Sequence, residues 1–264
     1  MTRLCPIFSG SKGNSIYLSC GDSNILIDAG KSAKQLEISL RENGIDATKI
    51  NAILVTHEHV DHVSALRVFA SRYGIKVYSS KGTLSALKDM SILNGKFAYD
   101  EIPSIGREIC GMFATPFYTS HDSTESVGYI IDTQDGKKVA IATDMGFMSD
   151  SARESIKSCD TIFIESNHDV GMLKNGRYPY YLKRRILSKK GHLSNSDCAN
   201  ELPGFVRSGA KRLILAHLSE ENNTPDVAYQ TAVCSLNENG MKEGTDFDLY
   251  IAPKENNGEQ NIVF

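Results

Sequence analysis

Thr56-His57-Glu58-His59-Val60-Asp61-His62 places four metal-type ligands, His57, His59, Asp61 and His62, within six residues. The apolar run Ile53-Leu54-Val55 precedes them and reads as a buried strand. A helical pattern follows over 62–73, with Leu66, Phe69 and Ala70 on one face. The ligands therefore sit on a short loop between the carboxyl end of a strand and a helix, where open α/β sheets place their sites. One loop histidine would mean little. Three of the chain's seven, with an aspartate among them, are hard to explain as packing, because neutral imidazole is the commonest metal ligand near neutral pH.

Working outward, residues 4–8 and 15–19 read as short strands. They are joined by Ser9-Gly10-Ser11-Lys12-Gly13-Asn14-Ser15, either a hairpin connection or a backbone cradle for phosphate. Asn24-Ile25-Leu26-Ile27 is a third strand ending in Asp28-Ala29-Gly30. Asp28 is placed to orient the ligand loop by hydrogen bonds. Ser32 caps a helix carrying Leu36 and Leu40. Further strands are expected at 76–78, 105–118, 125–132, 138–143, 161–164, 213–216 and 247–251, and helices at 81–90, 179–190, 195–207 and 225–239. No linker or internal period appears. The pattern predicts one domain over 1–264, an α/β fold of four layers, αββα, with two sheets face to face and helices outside.

Strands 138–143, 161–164 and 213–216 deliver Asp144, Glu165 and His217 at their ends, as the first motif delivers His57. Strand ends in one sheet region converge, so two metal sites can be built. We assign His57, His59 and His121 to the first ion and Asp61, His62 and His217 to the second, with Asp144 between them. That leaves open coordination positions, as in catalytic sites. Two divalent ions outweigh the ligand carboxylates and leave a positive pocket for an anionic substrate such as a phosphodiester. No cysteine is a candidate ligand. The remaining nitrogen and oxygen donors suit Zn, Mn or Fe.

The chain has 264 residues, 41% hydrophobic and 23% charged, with net charge -3. No global basic field exists, so nucleic-acid contact requires a local patch. Arg177, Lys183, Arg184, Arg185, Lys189 and Lys190, with Tyr178, Tyr180 and Tyr181, form one. It reads either as a single-strand path or as a solvated helix face. Six scattered cysteines without a CxxC pair fit reduced thiols and a cytoplasmic location. The start shows no signal peptide, and no run approaches the ~20 apolar residues of a membrane span.

The motif His57-x-His59-x-Asp61-His62, followed in order by His121, Asp144 and His217, resembles the signature of the metallo-β-lactamase fold over essentially the whole chain. Within that superfamily three segments look closest to the YycJ (WalJ, VicX) group. They are Phe163-Ile164-Glu165-Ser166-Asn167-His168-Asp169, Tyr178-Pro179-Tyr180-Tyr181-Leu182-Lys183-Arg184-Arg185 and Gly191-His192-Leu193-Ser194-Asn195. The resemblance implies a metal-dependent exonuclease, most simply 5′-to-3′ on DNA, acting through a hydroxide activated by two metal ions. Glu165 and His192 are similar to a pair in RNase Z that protonates the leaving oxygen. This chain departs from RNase Z in Leu193 and in lacking an evident tRNA-binding arm. Asp61, Glu165 and His192 are then the expected catalytic residues, and His168, Ser194 and Arg184 the expected substrate contacts. Ser194 reads equally as a helix cap and His192 as a helix-junction residue. The competing expectations are an RNA nuclease, a hydrolase of a small phosphodiester or thioester, and a metal-binding regulatory protein without catalysis.

Overall fold

A computed structural model describes residues 1–264. The first sheet holds β1 (Thr2–Phe8), β2 (Ser15–Cys20), β3 (Ser23–Ile27), β4 (Ala52–Leu54), β5 (Lys76–Ser79) and β6 (Tyr99–Glu101). The second holds β7 (Arg107–Ile109), β8 (Met112–Tyr118), β9 (Val127–Asp132), β10 (Lys138–Ala142), β11 (Thr161–Glu165), β12 (Arg212–Ala216) and β13 (Asp248–Ile251). The C-terminal β14 (Ile262–Val263) returns to the first sheet beside β1, giving two sheets of seven strands. Strands β3 to β6 pair in parallel, as do β10 to β13, so their carboxyl ends lie along one edge of each sheet.

Alternation along the strands builds the layers. On β12, Leu213 and Leu215 face the helices 195–207 and 225–238 through Leu202, Phe205 and Leu236. Ile214 faces the other sheet. On β4, Leu54 enters the core between the sheets, while Ile53 packs towards Leu36, Phe69 and Leu87 of the opposite helical layer. Three apolar cores therefore separate four layers, αββα.

The helix expected over 62–73 is broken. It runs as Val60–Val63 and then Leu66–Tyr73. Backbone groups that a continuous helix would use internally are engaged by neighbouring loops. Asn14 N–H donates to the Asp61 carbonyl, Ala29 N–H to the His62 carbonyl, and Ala65 N–H to the Ala29 carbonyl. This stitching brings the loops after β1 and β3 against the ligand loop. Gly30 permits it, because a Cβ there would fall 2.1 Å from the Asp61 carbonyl oxygen. The expected helix 179–190 is also shorter, Tyr180–Ile186. Helices Asp150–Ile156 and Val170–Asn175 and strands β6 and β14 were not anticipated.

Candidate metal centre

His57, His59, Asp61 and His62 leave the end of β4. Asp144, Glu165 and His217 come from the ends of β10, β11 and β12, and His121 from the turn between β8 and β9. Asp28, Asp144 and His217 all adopt φ between 56° and 62° directly after a strand, or one residue beyond it. The left-handed conformation is rare for residues with a Cβ and clusters at functional sites.

Ligand-type atoms gather as His57, His59 and His121, and as Asp61, His62 and His217. Asp144 stands with both sets. Its Oδ2 is 3.2 Å from His62 Nε2, its Oδ1 is 3.6 Å from His217 Nε2, and its Oδ1 is 3.8 Å from His121 Nε2. The structure thus brings together all seven residues anticipated around the two ions. Three buried atoms of the cluster, His57 Nε2, Asp144 Oδ2 and His217 Nε2, have no hydrogen-bond partner. Buried polar atoms are normally satisfied, so this cavity is chemically fitted to a cation. The donor set is nitrogen and oxygen only, as divalent Zn, Mn or Fe accept.

Hydrogen bonds fix the ring orientations. Asp28, fully enclosed, accepts from Thr56 N–H, the Thr56 hydroxyl and His62 Nδ1–H, each at 2.8 Å. His121 Nδ1–H donates to the Gly191 carbonyl at 3.0 Å. Glu165 accepts four N–H groups. Its Oε1 takes His192 Nδ1–H at 2.7 Å and His217 Nδ1–H at 3.0 Å, and its Oε2 takes the backbone N–H of Met145 and Leu193. In His62, His121 and His217 this turns Nε2 towards Asp144.

The charges show the same demand for a cation. Burial disfavours ionised Asp144, but His217 and His62 outweigh it and hold the carboxyl well below its usual range. Burial also opposes charge on His217, yet Asp144, Asp61 and Glu165 lift its pKa to about 10. Desolvation, with the charge of His62, drives His57 well below the normal imidazole value. Protons on His62 and His217 offset the buried carboxylates here, a task a metal ion would perform.

The cluster floors a cleft of about 230 Å³ whose other wall includes Ser11, Asn167, Tyr178, Leu182, Arg185 and Ser219. None of the three expected substrate contacts lines this cleft. Ser194 is buried and caps the helix Asn195–Arg207, accepting from Asp197 N–H and donating to Asp197 Oδ2. His168 is buried and does not line the cleft. Arg184 lies on the exposed side of its helix, its guanidinium 5.9 Å from the Tyr180 ring centre. Arg185 is the cleft's only Lys or Arg, aimed by a two-point pairing with Asp122. Asn14 was also missed. Its amide donates to Asp61 Oδ2 at 3.1 Å. Its place in a glycine-rich turn was the only available signal. A larger hollow of about 690 Å³ beside β13 holds no comparable ligand cluster.

A two-sheet αββα sandwich with this His/Asp cluster at the strand ends defines a class of metal-binding hydrolase folds. The chain belongs to the metallo-β-lactamase superfamily: the family model described as Beta-lactamase superfamily domain matches residues 23–218. Within it the chain falls in the YycJ/WalJ group. It is 36% identical over 246 residues to exodeoxyribonuclease YycJ of Bacillus anthracis, covering 92% of each chain. It is 35% identical over 251 residues to exodeoxyribonuclease WalJ of Streptococcus pneumoniae strain R6, covering 92% of this chain and 91% of that one. The crystal structure of Zn(2+)-bound PqqB from Methylobacterium extorquens superposes with a TM-score of 0.73 at 16% identity, over 99% and 100% of the chains, a likeness of fold alone.

Proposed function

We propose that this protein is a metal-dependent phosphodiester hydrolase, an exonuclease digesting DNA from the 5′ end. The carrying observation is the meeting of two three-ligand sets and Asp144 beside the Glu165–His192 pair at the floor of one cleft. The exodeoxyribonuclease names of the relatives support the substrate class. In this reading His57, His59 and His121 would hold one divalent ion, Asp61, His62 and His217 a second, and Asp144 would serve both, with Zn or Mn as the metal. When bound, such ions acidify water and offset charge developing on phosphate.

The chain's own residues supply the rest. Asn14 holds Asp61, whose carboxylate reaches the cleft to orient the attacking water. Glu165 keeps the His192 proton on Nδ1, so a second proton on Nε2 is the one given to the leaving oxygen. Arg185 offers a guanidinium to a phosphate beside the scissile one. Both sheets contribute ligands, which favours 1–264 acting as one domain. No helix is long and apolar enough to cross a membrane, and six unpaired thiols suit a reducing compartment such as the cytoplasm.

The test is digestion of DNA and RNA, labelled at either end, by metal-free protein resupplied with Mn or Zn, beside an Asp61→Ala/His62→Ala control. Metal-dependent release from the 5′ end of DNA, lost in the control, is expected. Cleavage of RNA alone, or of thioesters and no polymer, would overturn the reading.

A further inference from the structure

Seven of the chain's 29 basic residues and none of its 32 acidic ones fall within 170–193, so the remaining residues carry a net charge of -10. This segment forms one wall of the cleft through Tyr178, Leu182, Arg185 and Ile186 and ends at His192. Arg185 is paired with Asp122, and Lys183 donates to the carbonyls of Lys174 and Gly176. The other basic side chains make no ion pair and stand in solvent. Tyr180 and Tyr181 are 76% and 74% exposed, unusual for two neighbouring large rings. Arg184 lies over the Tyr180 ring, and Lys189 over the half-exposed Phe147.

We infer that the outer face of 177–190 is a guide for a single polynucleotide strand, with Tyr180 and Tyr181 as base-stacking platforms and Arg184, Lys189 and Lys190 as phosphate contacts. The inference rests on the nuclease reading and extends it from the reacting phosphate to the strand leading away from it. Two observations select a single strand. The cleft, at about 230 Å³, is smaller than ordinary ligand sites and suits one nucleotide better than a base pair. Rings freely presented beside unpaired cations match stacking of unpaired bases, whereas a duplex offers such a face only its phosphates. The strand therefore leaves its complement, if it has one, before it reaches His192. A merely solvated basic helix would explain the charges but not two neighbouring exposed tyrosines on the same short helix.

The experiment is fluorescence anisotropy of the full-length, metal-loaded protein with phosphorothioate-linked deoxythymidine strands, which resist hydrolysis. Strands of about 4 and about 16 nucleotides span the usual range of site sizes. Wild-type protein should hold the longer strand more tightly. Tyr180→Ala/Tyr181→Ala should lose at least about tenfold in affinity for the longer strand, the scale of base–aromatic stacking, and with it the advantage of length. Arg184→Gln/Lys190→Gln should flatten the slope of log affinity against log salt by about 1.4, some 0.7 per phosphate contact released. Thermal melting confirms that each variant is folded. Variants that bind like wild type with an unchanged slope, or a wild type indifferent to length, would overturn the inference. The nuclease reading fails separately, when metal-loaded wild type binds these strands yet cleaves no ordinary phosphodiester strand.

Discussion

Replacing Glu165 by Gln alters the most tightly determined side chain of the site. The carboxylate is fully buried and receives four N–H groups, two from imidazoles and two from the backbone. Burial alone would raise its pKa, but the charge of His192 and the histidine hydrogen bonds bring it down to about 2, so it is an acceptor at both oxygens. A glutamine has one oxygen and one NH2. With the oxygen towards the rings, the NH2 opposes the N–H groups of Met145 and Leu193. Turned round, it opposes both imidazole N–H groups. Either way two buried donors go unsatisfied, at about 1–3 kcal/mol each, so the folded state should lose about 2–6 kcal/mol. In the second arrangement His192 loses the acceptor that fixes its proton, and general-acid assistance of about 10²–10⁴-fold goes with it. The assay compares turnover of a DNA strand, whose leaving alkoxide needs a proton, with a nitrophenyl phosphodiester, whose phenolate does not. The loss on DNA should exceed the loss on the nitrophenyl ester by at least about tenfold. Equal losses on both substrates would refute the acid role, and an unchanged melting temperature would refute the hydrogen-bond argument.

Three other substitutions probe separate parts of the account. Asp28→Asn removes the carboxylate holding His62 Nδ1–H, so metal affinity measured by chelator competition should fall about 10–100-fold, and an unchanged affinity would show that Asp28 is dispensable. Ser194→Ala deletes a helix cap and should cost about 1 kcal/mol in urea unfolding while leaving KM for DNA within about twofold. A large rise in KM would restore Ser194 as a phosphate contact. Burial presses the pKa of His168 down to about 4, so the unfolded chain takes up this proton first as pH falls. The stability owed to the neutral ring is whole above about pH 6.5, declines towards pH 4 and levels off below, by about 3 kcal/mol in all. His168→Gln should flatten that part of the stability profile, and parallel profiles would contradict it.

The parts of this protein readable from residues were those set by chemical type and period. Apolar alternation located most of the strands, and the ligand types at their ends located the metal cluster, because parallel strands must finish on one edge. Contacts made by backbone geometry were invisible. The break at Ser64–Ala65 arises because Asn14 and Ala29 use the helix's backbone groups, and nothing in the local sequence opposes a helix there. Asp144 and His217 in left-handed conformations carry no sequence mark, unlike a glycine at such a position. Ser194 suits a cap and a phosphate equally well by type, and its cap bond from Asp197 N–H is visible only in the structure. Arg184 and Arg185 are chemically identical neighbours. Helical phase, fixed by burial of Ile186, turned Arg185 into the cleft and Arg184 out.

The most direct test of the central claim is a titration of metal-free protein with Mn while nucleotide release from 5′-labelled DNA is followed. The account predicts that the rate climbs until two equivalents are bound, one for each three-ligand set, and that Asp61→Ala/His62→Ala stops at one equivalent without digestion. Full digestion with no metal, or two bound equivalents with no release of nucleotide, would contradict it.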